Sequence, residues 1–281
     1  MEYWLNFSMI EIDQLIPLAQ AAEDLGFAGI SMGDHLIFPR DLKSPYPYSK
    51  DGSVMWRPED HWPDCWVAIA AMAASTRTLR FTTGVYIAPL REPMALAKAL
   101  STAAHMSGGR VYGGFGAGWM REEFDYAHER FEGRGARMDE MIEILRKLWT
   151  GVMVEHHGPN YDLPGVQMAP APPPIPILVG GNNDAALRRA ARNDGWIGVH
   201  RTFEATQSLV SKLRAIRTEL GGQGAFTLML NAFRTTGEDR AQIARLGFDA
   251  LVLPVAASSP EGGLNQRVEG MRRLAGELGL A

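Results

Sequence analysis

The chain has one cysteine in 281 residues, Cys65, and no CxxC pair. A disulfide framework and a thiolate zinc site are therefore excluded. Trp66, Ile69 and Met72 beside Cys65 mark it as a core thiol, the usual state of a free cysteine. A basic surplus is also missing: 28 Lys and Arg stand against 32 Asp and Glu, a net charge of -4. Nucleic-acid binding normally requires the opposite balance, so no nucleic-acid partner is expected. No apolar run reaches the roughly 18 residues that would span a bilayer, and MEYWLNFSMIEID lacks the basic flank and apolar stretch of an export signal. No membrane association and a cytoplasmic location are expected. The seven histidines include no HExxH and one adjacent pair, His156-His157, so no metal site is expected. The absence of a GxSxG elbow removes support for a serine hydrolase of that type.

Glycine is plentiful, yet its densest run, GGRVYGGFGAGW at 108 to 119, is not a dinucleotide loop. That fingerprint needs glycines at relative positions one, three and six. Counting from Gly114, the third position is Gly116 but the sixth is Trp119; counting from Gly113, the third is Phe115.

What the chain does have is alternation. Strands are expected at 3–8, 28–33, 80–87, 111–115, 175–179, 196–199, 226–230 and 250–253, where short apolar runs are bounded by turn residues. Between and after them, apolar residues recur at three- and four-residue steps and predict helices at 12–25, 64–75, 94–106, 134–149, 184–192, 203–220, 238–246 and 261–278. About eight strand-helix units favour a closed (β/α)₈ TIM barrel, an α/β fold, over an open doubly wound sheet of about six. With 46% hydrophobic residues and no linker-like stretch, 1–281 is expected to form one barrel domain with a long loop after strand two. PAPPPIP at 170 to 176 is a rigid lead-in to the fifth strand.

In such a barrel the chemistry sits past the C-terminal ends of the strands. This rule selects Asp34-His35, Gly84 to Pro89, Gly116 to Trp119, Gly180 to Asp184 and His200 to Thr202. A histidine titrates near neutral pH and a neighbouring carboxylate can orient it, so His35 is the candidate acid or base; a turn cap and a backbone-bound histidine is the bland alternative. Gly180-Gly181-Asn182-Asn183 leads into a helix, and free N–H groups there can hold an anion. A plain strand-to-helix connection capped by Asn183 or Asp184 fits the same residues. The segment Leu36 to Pro63, with Tyr46, Tyr48, Trp56, His61 and Trp62, is too long for a routine connection. It is either a lid whose aromatics line a substrate pocket or a surface flap pinned by them.

These residues fall within stretches that resemble the luciferase-like monooxygenase superfamily, especially its deazaflavin (coenzyme F420) dependent oxidoreductase branch. The stretches are AEDLGFAGISMGDHL (22–36), SPYPYSKDG (44–52), TTGVYIAPLREPMALAKAL (82–100), SGGRVYGGFGAGWMREEF (107–124), RMDEMIEILRKLWTG (137–151) and PILVGGNNDAALRRAARNDGW (176–196). The resemblance implies a TIM barrel and hydride transfer between coenzyme F420 and a small organic substrate. It implies His35 as the catalytic residue and Asp34 beside it facing the redox ring. Gly84-Val85 would be a non-prolyl cis peptide backing that ring, Gly116, Gly118 and Trp119 would flank it, and Gly180, Gly181, Asn182 and Asn183 would take the phosphate. His200 is expected at the same cofactor site, and Tyr48 and Trp56 at the substrate. Relatives of this kind commonly dimerise, so a homodimer is expected. Some sugar-phosphate dehydrogenases of the superfamily carry a glutamate acid where this chain has Trp119, which puts that reaction in doubt here; Glu122 and Glu123 lie close by. The rival readings are an FMN-dependent monooxygenase on the same fold and a non-catalytic flavin-binding barrel.

Overall fold

A computed structural model describes residues 1–233, 235–255 and 262–280. The strands are β1 (Glu2–Asn6), β2 (Gly29–Met32), β3 (Arg80–Thr83), β4 (Tyr86–Ile87), β5 (Gly113–Gly116), β6 (Val154–His157), β7 (Asp162–Val166), β8 (Ile177–Gly180), β9 (Gly195–Val199), β10 (Thr227–Asn231) and β11 (Ala250–Pro254). The helices are α1 (Leu15–Asp24), α2 (Cys65–Ala74), α3 (Pro93–Ser107), α4 (Arg121–Tyr126), α5 (Arg134–Leu148), α6 (Asp184–Ala191), α7 (Phe203–Glu219), α8 (Gly237–Arg245) and α9 (Leu264–Leu278).

Nine strands form one sheet in the order β3-β2-β1-β11-β10-β9-β8-β5-β4, and their pairings are parallel. Its two ends approach each other. Phe81 of β3 forms a parallel bridge to Val111, with Phe81 N–H donating to Arg110 O at 2.8 Å and Tyr112 N–H to Phe81 O at 2.8 Å. The expected third strand, 80–87, is two strands, with the cis Gly84-Val85 peptide between them. Counting β3 and β4 as one position leaves eight around the barrel, the number expected of the fold.

The sequence period decides which faces are buried. Met138, Met141, Ile142, Leu145 and Leu148 recur along one face of α5 and are all buried; each contributes about 1.5–3 kcal/mol over an exposed position. Inside the barrel, Trp4, Leu178, Ile197, Met229, Ala250 and Val252 pack together. Cys65 opens α2 fully buried, its thiol donating to Gly33 O at 3.2 Å, and burial pushes it well above the ordinary thiol range.

Two features lay outside the sequence expectations. The antiparallel pair β6–β7 carries His156, which bonds Glu140 of α5 at 3.1 Å and helps fix the hairpin to that helix. The short helix α4 follows the rim glycines. The last helix is described from Leu264; the expected start at Glu261 lies outside the described residues. Among the described residues, no helix is long and apolar enough to cross a membrane.

Candidate functional site

His35 leaves the C-terminal end of β2 and enters a nest of aromatic rings. Its imidazole lies 4.7 Å from the Trp56 ring at 31°, 4.7 Å from Trp62 at 90° and 6.0 Å from Trp119 at 82°. Tyr46 joins the cluster against Trp56, Trp119 and Tyr48. The long segment after β2 therefore folds inward over the rim, and its rings account for that inward fold. Trp56 is buried, and burial raises the Tyr46 phenol to about 12. Arg201, beyond β9, donates to the Pro47 carbonyl and ties this segment to the opposite side of the rim.

The carboxylate that orients His35 is Glu123 of α4. Oε2 lies 3.1 Å from His35 Nδ1, and Oε1 accepts the Leu36 N–H at 2.6 Å. Glu123 is 1% exposed, so little solvent competes for these bonds. A carboxylate oxygen accepts here, which assigns the hydrogen to Nδ1 and leaves Nε2 as the free ring nitrogen. Among the described residues, Nε2 makes no hydrogen bond.

Asp34, beside it in sequence, does different work. Both its oxygens take the Arg91 guanidinium at 2.7 Å, and Oδ2 also accepts the Ile87 N–H at 2.9 Å. Burial raises the Asp34 carboxyl and Arg91 opposes that rise. The aspartate thus ties β2 to β4 rather than orienting His35.

The cis peptide expected at Gly84-Val85 is present. The Val85 side chain fills a notch between two strand ends: a Cβ on Gly116 would lie 2.3 Å from Val85 Cγ2, and one on Gly180 would lie 2.3 Å from Val85 Cγ1. These glycines make room for Val85. Gly118 has φ +83°, and a Cβ there would meet Ile87 at 2.7 Å and Phe124 at 2.9 Å. Gly116 and Gly118 were expected to flank the ring; the space beside them is taken by the side chains of Val85, Ile87 and Phe124, so they shape the Val85 surface and the Trp119 turn.

The loop from β8 to α6 uses its amides locally. Asn182 Nδ2 donates to Val199 O at 2.8 Å, and its Oδ1 accepts the Val199 N–H at 3.2 Å. Asn183 caps α6 by accepting the Ala186 N–H at 2.9 Å. Gly181, at φ +121°, lies so close to Ala186 that a Cβ would sit 2.8 Å from that methyl. The N–H groups of Asp184 and Ala185 have no acceptor within the helix. His200 bonds Thr206 Oγ1 at 2.9 Å, and burial lowers its imidazole below the ordinary value.

His35, Trp56, Trp119 and, through Tyr46, Tyr48 are thus one cluster. Gly84, Val85, Gly116 and Gly180 form a second, while Asn182 bonds Val199, the residue before His200. Sequence reasoning missed the roles of Glu123 and Arg91, because their partners are 88 and 57 residues away. Two surface clefts of about 400 and 390 Å³ lie at the barrel's other end, one beside Asp194 and Arg217, the other beside Glu2, Arg80 and Tyr112. Among the described residues, no group of three or more His, Cys, Asp and Glu is placed to hold a metal.

The family model for luciferase-like monooxygenases matches residues 6–275. An uncharacterized protein of Mycobacterium tuberculosis is 38% identical over 239 residues, covering 84% of this chain and 83% of its own. The F420-dependent hydroxymycolic acid dehydrogenase of Mycobacterium tuberculosis is 30% identical over 247 residues, covering 84% of this chain and 63% of its own. Among solved structures, a monooxygenase of Streptomyces bottropensis superposes with a TM-score of 0.80 at 21% identity, covering 99% of this chain and 98% of its own. An F420-dependent secondary alcohol dehydrogenase in complex with an F420-acetone adduct gives 0.75 at 15% identity, with 97% of each chain covered. The barrel, its rim histidine and the extent of these matches lead to one conclusion: the chain belongs to the luciferase-like monooxygenase family.

Proposed function

We propose that the protein is an oxidoreductase that moves a hydride between coenzyme F420 and a small organic substrate at the C-terminal rim of its barrel. The observation that carries this reading is His35, held by the buried Glu123 within a nest of aromatic rings. The F420-dependent relative with 30% identity supports the choice of coenzyme.

The residues present fit such a group. The Val85 side chain offers an apolar surface level with two glycine strand ends, against which a flat ring can lie. The Gly181 N–H is given to Ile197 O at 3.3 Å, so Asn182 and the start of α6 offer the backbone N–H groups to a phosphate. When bound, the coenzyme supplies a ring carbon that gives or accepts hydride. The protein supplies the proton movement that accompanies it. In the oxidative direction a substrate hydroxyl loses its proton to His35 Nε2, and Glu123 steadies the resulting imidazolium through Nδ1–H. In the reductive direction Nε2–H returns the proton to the developing oxyanion. Tyr48 and Trp56, on the folded-in segment, face the substrate and keep water from the reacting atoms.

Titration of the purified protein with coenzyme F420 and with FMN, followed by quenching of its tryptophans, tests this. Trp56, Trp62 and Trp119 all lie around His35, so a ring bound there quenches strongly. The expected result is F420 binding and turnover with a member of a panel of alcohols, enones and imines. FMN binding with no F420 binding overturns the coenzyme and favours a monooxygenase; binding without turnover favours a non-catalytic barrel.

A further inference from the structure

Two oxygens at the top of the barrel interior are buried with no hydrogen-bond partner: Ser31 Oγ on β2 and Asn231 Oδ1 on β10. Ser31 is 1% exposed and Asn231 7%. Their strands are separated in the sheet by β1 and β11, yet both side chains reach Gly84. A Cβ there would lie 2.4 Å from Ser31 Oγ, 3.4 Å from Asn231 Nδ2 and 3.7 Å from Asn231 Oδ1.

The period of the strands explains why both point inward. Asn231 is two residues past Met229, which packs inside the barrel with Trp4 and Ile197. Ser31 is two residues past Gly29, where a Cβ would strike the Trp4 ring at 2.5 Å. Successive inward positions are two apart, so Ser31 and Asn231 form the layer above that core. On the other side of the same layer, Val85 fills the notch left by Gly116 and Gly180. The floor of the site is therefore apolar where Val85 lies and polar where Ser31 and Asn231 lie. An unpaired buried oxygen has lost its water without gaining a bond in return. Two on one floor are a cost that folding alone gives no reason to keep.

We infer that Ser31 and Asn231 hydrogen-bond the imide edge of the coenzyme's pyrimidine ring, the carbonyl–NH–carbonyl side of the flat heterocycle. The inference rests on the coenzyme reading above. A primary amide presents an acceptor and a donor side by side, the complement of a ring N–H next to a carbonyl, and the serine hydroxyl serves a second carbonyl. F420 and FMN share this edge, so the two residues secure the ring without choosing between the coenzymes.

The test uses the full chain, Asn231→Leu and Ser31→Ala. Each is titrated with F420 and FMN and with the N3-methyl analogue of whichever coenzyme the wild type binds, and each is melted without ligand. Asn231→Leu is expected to melt at or above the wild-type temperature, because an unpaired polar group has been removed, yet to bind the coenzyme roughly tenfold or more weakly, about 1.4 kcal/mol. Ser31→Ala is expected to bind about threefold or more weakly, the low end for one hydrogen bond. The wild type should disfavour the N3-methyl analogue, and Asn231→Leu should lose that preference. Affinities within twofold of wild type in both variants, or an unchanged preference in Asn231→Leu, overturn the inference and assign the oxygens to an internal water. If Asn231→Leu does not fold, Ser31→Ala and the wild-type preference decide it: near-wild-type affinity or indifference to N3-methylation overturns the inference. A wild type that binds neither coenzyme defeats the coenzyme reading itself; a wild type that binds while both variants bind equally well defeats only the role of the floor.

Discussion

His35 Nδ1 lies 3.1 Å from Oε2 of Glu123, a carboxylate 88 residues further along the chain and almost wholly buried. This contact fixes which imidazole nitrogen is free for chemistry. His35→Ala is therefore expected to bind coenzyme within a few fold of wild type while slowing turnover roughly 10²-fold, the scale of a general acid or base. Glu123→Gln should bind equally well and slow turnover about 10-fold or more, in line with other residues that orient a histidine. An amide can donate to Nδ1 and so favour the wrong tautomer. The split between kcat and KM separates this role from simple packing, since Glu123→Gln should lower kcat while KM stays near wild type. An unchanged kcat would remove Glu123 from the mechanism.

The barrel was legible because strands and helices differ in period, and all eight expected strand regions match described strands. His35 was legible because it lies three residues past the end of β2. Its true partner was not, since the neighbouring Asp34 made a plausible one until Arg91 claimed both its oxygens. The glycines show the same limit from another side. Their positions could be placed on the rim by counting, but what fills the space above Gly116 depends on how the chain passes through Val85, and no local pattern encodes that.

The packing of Val85 yields a prediction of its own. Gly116→Ala and Gly180→Ala each place a methyl 2.3 Å from a Val85 carbon. Each should destabilise the fold by about 1–3 kcal/mol, the usual cost of overpacking, and weaken coenzyme binding as Val85 is displaced. Adding Val85→Ala should restore most of the melting temperature in both cases. Failure of that rescue would mean the glycines are required for another reason.

Glu23 predicts an acid limb of stability away from the site. Burial acts to raise its carboxyl, but the N–H groups of Thr78, Leu79 and Arg77 and the Thr78 hydroxyl outweigh it and bring the value to about 2. Because the folded value lies below the unfolded 4.5, the carboxylate's contribution is fully present above pH 4.5 and is lost as pH falls towards 2. Glu23→Gln should destabilise the protein at neutral pH and show a shallower loss of stability between those limits. Parallel wild-type and variant curves across this range, followed by denaturant melts, would contradict the assignment.

The tie between Arg201 and the Pro47 carbonyl predicts how the aromatic segment opens. The rings of Trp56, Trp62 and Trp119 pack around His35 and Tyr46 packs on Trp56, so opening the segment uncovers His35 further. The acceptor is a backbone carbonyl, so replacing Pro47 would leave it in place, and Arg201 is the side to change. Arg201 is exposed and solvent competes for its donors, which limits the bond to about 1 kcal/mol. Losing it in Arg201→Ala should raise the open population about fivefold. Limited proteolysis between residues 36 and 63 reads that population when opening is faster than cleavage, and its rate should rise by the same factor. The global melting temperature should hardly change, since the barrel core is untouched. A cleavage rate equal to wild type would show that the rings alone hold the segment closed.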